Sequence, residues 1–281
     1  IFYMVTSQTF QFDKSDEYYL TLSDQPKRFD ADSPVTNVFF DDTNGQVFTV
    51  RSGGVTGVTV NSTDEAKCTS FRMEDRGPII SIKFSPDLNI LAIQRNLDNH
   101  NATVEFVNFK DLAPTNVEYS HTCKWKNAKM LGFVWPKVNE IAFITDHGIE
   151  LLQVLPERKQ LKSIKNTSFS CAWLSWCSQS NIVVLAGNNG VWLMPIINSN
   201  GFHYTHVLKT GLHGRFAVNV VDDLIVVHHQ SSETSQLFDI MEESKPENNI
   251  VFHIPVVLSI SMKPARIADN FCPMCILWCT I

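Results

Sequence analysis

Short hydrophobic runs alternate with polar turns along the chain, and the alternation itself repeats as a block. Five blocks share one layout: a bulky anchor, a turn, then a hydrophobic strand. The anchors are Phe40, Phe84, Trp135, Trp176 and Val218, and the strands they lead to open at Gln46, Ile90, Ile141, Ile182 and Leu224. Successive anchors stand 44, 51, 41 and 42 residues apart. A period of about 40–45 residues with several strands per unit is what a β-propeller of the WD40 kind writes into its sequence. One such unit cannot bury both faces of its sheet alone, so it must stack on neighbours. The pattern predicts an all-β chain, an incomplete WD40-like β-propeller with about five recognisable blades.

The first unit predicts strands over Asn37–Phe40, Gln46–Arg51, Thr56–Val60 and Thr69–Met73. Asn44-Gly45 and Ser52-Gly53-Gly54 supply the turn residues between them. The second unit reads Ile80–Phe84, the turn Ser85-Pro86-Asp87, then Ile90–Gln94, Val104–Phe109 and Val117–His121. The third has Leu131–Trp135, Ile141–Thr145, a tight hairpin at Asp146-His147-Gly148, Ile149–Leu155 and Gln160–Ile164 as its outer strand. The fourth runs from Ser170 to Leu208 and is less regular. The fifth has Phe216–Val220, Leu224–His228, Gln236–Ile240 and Ile250–Ile254, the last as its fourth strand. Tyr18–Leu22 is an alternating run placed to close the ring by completing the last blade. Residues 1–17 are expected as a leader outside the propeller, 18–255 as the propeller and 256–281 as an irregular tail. Ile82, Phe84, Leu91, Phe133, Trp135, Ile141, Phe143, Trp176, Phe216 and Val218 are expected between blades.

Composition narrows the class. Hydrophobic residues make up 44 % and charged residues 19 %, enough apolar side chains for a sizeable core. A formal net charge of −6 disfavours a nucleic-acid duplex as partner. The densest basic stretch, Lys124–Lys129, is interrupted by Trp125, Asn127 and Ala128 and reads as a solvated blade edge. No apolar run is long enough to span a membrane as a helix, and Ile1–Phe12 lacks the layout of a signal peptide. Seven Cys without framework spacing fit reduced thiols. The sequons at Asn61, Asn101 and Asn166 then read as chance turn residues.

Catalytic motifs are missing. There is no phosphate-cradling Gly loop ahead of a helix, no H-E-x-x-H and no G-x-S-x-G. Cys272 and Cys275 have zinc-knuckle spacing, but a structural zinc needs four ligands and no partner pair follows. His228 and His229 are adjacent on a strand, so their side chains take opposite faces and cannot easily share an ion. One buried and one exposed imidazole is the expectation there. Asp146-His147 has the look of half a dyad on a hairpin without a nucleophile. Trp135, Trp173 and Trp176 read as inter-blade core. No catalytic, cofactor-binding or metal-ligating residue is assigned, no cofactor is expected, and the interaction residues are not assigned.

Several segments resemble one family. They are Gln46–Val60, Ser70–Met73, Ile90–Arg95, Leu131–Trp135, Glu140–Glu157 and Gly214–Ile240. Collinearly, from about Tyr18 to Ile254, they are similar to the metazoan regulator subunit of the Mon–Ccz complex, the Mic or Bulli family. The resemblance implies a non-catalytic subunit, with Mon and Ccz proteins as partners and, through them, the late-endosomal Rab GTPase on which they exchange nucleotide. It implies roles in endosome maturation, autophagic flux and lysosomal traffic. The implied location is cytoplasmic and peripheral on late endosomes and lysosomes, with membrane contact only through the complex and no nucleic-acid partner. Family members carry further propeller sequence where this chain passes from Ala186 to Val191, and a helical carboxy-terminal domain. Val256–Ile281 matches neither and reads as an aberrant or alternatively spliced end. Two other readings stay open: a WD-type adaptor of another trafficking complex, and a propeller hydrolase drawing on Asp146 and His147.

Overall fold

A computed structural model describes residues 35–261, except 42, 52–54, 63, 96–101, 171–172, 178–181, 188–189, 196–204, 215, 222, 243–245, 249 and 258. The strand expected at Tyr18–Leu22, the Ser52-Gly53-Gly54 turn and the Cys272/Cys275 pair lie outside the described residues. Strands dominate, in five sheets that are antiparallel except for one parallel pairing. Blade 1 holds β1 (Val35–Asp41), β2 (Gln46–Arg51), β3 (Val55–Ser62) and β4 (Thr69–Glu74). Blade 2 holds β5 (Ile79–Phe84), β6 (Ile90–Arg95), β7 (Thr103–Lys110) and β8 (Ala113–Thr122). Blade 3 holds β9 (Met130–Lys137), β10 (Glu140–Thr145), β11 (Gly148–Leu155) and β12 (Gln160–Ser168). Blade 4 is built from β13 (Trp173–Cys177), β14 (Ile182–Gly187), β15 (Gly190–Pro195) and β16 (His206–Leu208). Blade 5 has β17 (Phe216–Val221), β18 (Leu224–His229) and β19 (Thr234–Asp239), and two short strands follow, β20 (Val251–His253) and β21 (Ile260–Ser261).

The strands read from alternation stand within a few residues of these bounds, because alternation reports a half-buried sheet directly. The main extensions are β8, which already begins at Ala113, and β12, which continues to Ser168 through a bulge at Ile164. Two of the three sequons, Asn61 and Asn166, lie inside strands rather than turns.

Side-chain alternation explains how the blades stack. Four apolar clusters each join two consecutive blades. Phe48, Val50, Val58 and Val60 of blade 1 meet Ile82, Phe84, Leu91 and Ile93 of blade 2. Ile90, Ala92, Val104 and Phe106 meet Phe133, Trp135, Ile141 and Phe143. Val134, Ile144 and Leu151 meet Leu185 and Met194. Val184, Val191 and Leu193 meet Phe216, Val218, Ile225 and Val227. The described anchors Phe84, Trp135 and Val218 therefore all face the preceding blade, and all are buried. Phe40 holds the same place in blade 1, yet it is 61 % exposed. Among the described residues, no apolar cluster joins blade 5 to blade 1. Every residue expected between blades and described at side-chain level is buried; Trp176 lies on β13.

Turn chemistry locks these contacts. Asp41 is fully buried, and its Oδ2 accepts from the Phe84 backbone N–H across the blade 1–2 joint and from Asn44 Nδ2. In the next blade Ser85 Oγ accepts from the Ile90 N–H and donates to Asp87 Oδ1 at 2.6 Å. Gly148 closes the β10–β11 hairpin with φ +146, and a Cβ there would lie 2.1 Å from the Thr167 carbonyl oxygen. Gly148→Ala is expected to cost at least about 1–3 kcal/mol from backbone strain alone. Urea unfolding measures it, and an unchanged midpoint would contradict the hairpin geometry.

One expectation is corrected. The strand expected at Ile250–Ile254 does not complete blade 5. β20 instead crosses to the outer edge of blade 4 and pairs in parallel with β16, His206 opposite Val251 and Leu208 opposite His253. The chain then returns, and β21, from the segment expected as tail, pairs with β19. The local pattern encodes a strand but not which edge it joins. Here the edge is chosen by distant partners: Val251 N–H donates to the Thr205 carbonyl, and Lys209 N–H to that of His253. The crossing clasps blade 4 to blade 5.

Candidate functional site

Three polar assemblies emerge among the described residues. The first lies at the rim between blades 1 and 2, where a cavity of about 390 Å³ is lined by Met73, Glu74, Arg76, Arg95, Glu118 and Tyr119, among others. Arg95 is buried and donates from Nε to Glu105 Oε2 at 2.8 Å and from Nη1 to the Gly77 carbonyl. Arg76 bridges Glu74 and Glu118 from the two blades. Burial pushes the Tyr119 hydroxyl up to about 12. The guanidinium and carboxylate groups here pair with one another, which is a joint between blades rather than reactive chemistry.

The second assembly is the Asp146–His147 turn. His147 Nδ1 lies 2.6 Å from Asp146 Oδ1. Burial opposes charge on this carboxyl, but the hydrogen bonds from His147 and the Lys129 N–H hold it below the ordinary carboxylate range. Both side chains are exposed on a hairpin tip, and the nearby Thr145 hydroxyl donates to the Gly148 carbonyl. That arrangement fixes a turn.

The third is a group of imidazoles in blades 4 and 5. His228 and His229 are both buried, on opposite faces of β18, which corrects the expectation that one is exposed. His228 Nδ1 lies 2.7 Å from Ser235 Oγ, while His229 packs on Phe216 and contacts the His213 carbonyl. His206 Nδ1 and His253 Nε2 stand 2.8 Å apart across the β16–β20 clasp. The described residues contain no group of three His, Cys, Asp or Glu side chains able to hold a metal ion.

Burial, joined at His206 by the imidazole of His253, holds His206, His228 and His253 below the ordinary imidazole range; Asp239 and Glu242 oppose the shift at His253. A depressed folded value means that the unfolded chain takes up protons first. Stability is therefore full above about pH 6.5 and declines as pH falls from there toward the depressed folded values. Urea midpoints are expected to drop between pH 7.5 and pH 5.5, and less so in His206→Gln. Equal pH dependence in the two proteins would show that the pair contributes nothing.

Comparison with known proteins places the chain. A sequence model described as Regulator of MON1-CCZ1 complex, N-terminal, matches residues 38–161. The human Regulator of MON1-CCZ1 complex is 36 % identical over 321 residues, covering 90 % of this chain and 48 % of the relative. The mouse protein is 35 % identical with the same coverage. The chain thus spans about half the length of the curated relatives it matches. Because 321 aligned positions draw on only 90 % of 281 residues, the human relative has sequence without counterpart here, more than one repeat of about 40–45 residues. Among solved structures, the periplasmic gluconolactonase PpgL of Pseudomonas aeruginosa superposes with a TM-score of 0.57 at 10 % identity, covering 87 % of this chain and 77 % of that one. That likeness is one of fold alone. The family match begins in β1 and ends at the start of β12, over three of the four blades whose segments carry the resemblance, and the chain belongs to the family of regulators of the MON1-CCZ1 complex.

Proposed function

We propose that this chain is a non-catalytic scaffold that docks on the Mon and Ccz proteins and supports their nucleotide exchange on a late-endosomal Rab GTPase. The observation that carries the reading is the match to the human regulator across nine-tenths of the chain. The site geometry agrees with it: the conspicuous polar groups are tied up in blade joints, a turn and a strand clasp. In this reading the chain is cytoplasmic, reaches late endosomes and lysosomes only through the complex, and acts in endosome maturation, autophagic flux and lysosomal traffic. Co-purification of the tagged chain with co-expressed Mon and Ccz tests it, followed by measurement of nucleotide release from the Rab. Capture of both proteins is the expected result. If the chain extended by the relatives' additional propeller sequence also fails to capture them, the assignment is wrong.

A further inference from the structure

We propose that the outer rim of blade 3 is a docking surface for an acidic segment of a partner protein. Charge is divided unevenly along the chain. Residues 124–168 carry eight Lys and Arg against four Asp and Glu, whereas the whole chain carries 23 against 29. Apart from Lys137, which ends β9 and pairs with Glu140, these cations lie on or beside the β12 edge. β12 is the outermost strand of its sheet and bears Lys162 and Lys165, and Arg158 and Lys159 stand in the turn that leads into it. At the other end Lys124 Nζ donates to Asn166 Oδ1, which brings the Lys124–Lys129 loop alongside the strand. Nine residues of strand at about 3.3 Å each make a ridge roughly 30 Å long.

Three of the four acidic groups in 124–168 are already engaged, and the fourth, Glu157, is exposed in the turn beside Arg158. Glu150 is buried and accepts from the Lys124 N–H, Asp146 is held by His147, and Glu140 pairs with Lys137. Arg158, Lys159 and Lys162 are exposed and, among the described residues, form no salt bridge. Midway along the strand the register steps from Lys165 to Ser163, leaving Ile164 as an unpaired bulge residue, 49 % exposed. A bulge re-aims a side chain, so an apolar anchor stands among cations, the layout of a buried contact ringed by charge.

Lysines and a bulge on a sheet edge also guard against pairing with another copy. That explains why the occupant is not a second copy, since two basic edges repel. It does not explain the cations of the two flanking loops, which have no strand edge to guard. The charges follow one strand line, a shape that an extended acidic segment can trace.

The test immobilises the 281-residue chain and titrates a labelled 14-residue peptide of Asp and Glu with one central Leu. An isosteric Asn/Gln peptide and vesicles with and without phosphatidylserine run in parallel. The acidic peptide is expected to bind and the neutral one not, with affinity falling about tenfold between 50 and 300 mM salt. Arg158→Glu with Lys162→Glu should weaken binding by about thirtyfold or more, and Ile164→Asn about fivefold with the salt dependence kept. Lys110→Glu, on blade 2, should leave it unchanged. Thermal melts confirm that each variant is folded. Absence of peptide binding, binding indifferent to the blade 3 reversals, or binding to anionic vesicles but not to the peptide would each overturn the proposal. None of these outcomes depends on capture of Mon or Ccz.

Discussion

Replacing Trp135 by alanine is expected to cost about 3–5 kcal/mol of stability. Trp135 is 2 % exposed and sits in the cluster that joins blade 2 to blade 3, edge-on to Phe106 with ring centroids 6.4 Å apart. Removing the indole empties a space walled by two sheets, and sheets held by backbone ladders cannot collapse to fill it. The loss therefore combines lost burial with a residual cavity. Phe40 supplies an internal control, because it occupies the same place in its blade but is largely exposed. Phe40→Ala is expected to stay within about 0.5 kcal/mol. Urea unfolding followed by tryptophan fluorescence, with constant m-values, measures both. A cost below about 1 kcal/mol for Trp135→Ala would remove it from the inter-blade core.

That contrast also shows what the sequence makes legible. The anchor pattern finds Phe40, Phe84 and Trp135 as equivalents, since all three precede a polar turn and a hydrophobic strand. It cannot report that an anchor faces the preceding blade, so it cannot single out Phe40 as uncovered. Turn chemistry was readable at Asn44-Gly45, where Gly45 has φ +63, because local backbone demands are written in local residues. The β20 crossing was not readable, since a three-residue strand can join either of two edges and the choice rests on Thr205 and Lys209, more than 40 residues away. The blade 3 ridge was hidden for the same reason. Lys124 and Lys162 are far apart in sequence, and only the β8–β12 neighbourhood, marked by Lys124 reaching Asn166, assembles them. The absence of catalytic motifs was legible and led to the scaffold reading now proposed.

The last expectation concerns the ends of the blade array. Adding the relatives' additional sequence at the junction where it is expected, between Ala186 and Val191, should raise the melting temperature and the solubility of the chain. Each inner blade is covered on both faces, but among the described residues the two terminal blades have one clustered face each. On blade 1 Phe40 alternates with Phe39, which packs toward blade 2, so Phe40 points away from that neighbour. On blade 5 Leu224, 38 % exposed, alternates with Ile225, which packs toward blade 4. Two apolar positions thus point outward from opposite ends. In the present chain Gly187 pairs with Gly190, so β14 and β15 keep their register at the junction where the relatives' extra sequence is expected. Removing a whole repeat keeps sheet register intact while subtracting one step from the ring, which leaves the ends too few neighbours to meet. Covering the exposed parts of Phe40 (61 %) and Leu224 (38 %) contributes about 1.5–3 kcal/mol together. At roughly 2–4 °C per kcal/mol for a domain of this size, the melting temperature should rise by about 3–12 °C. The shorter chain should bind a hydrophobic dye and depend on a partner or fusion for solubility, and the longer one should not. A monomeric 281-residue chain that melts sharply and cooperatively without binding dye would mean that its ends already cover one another.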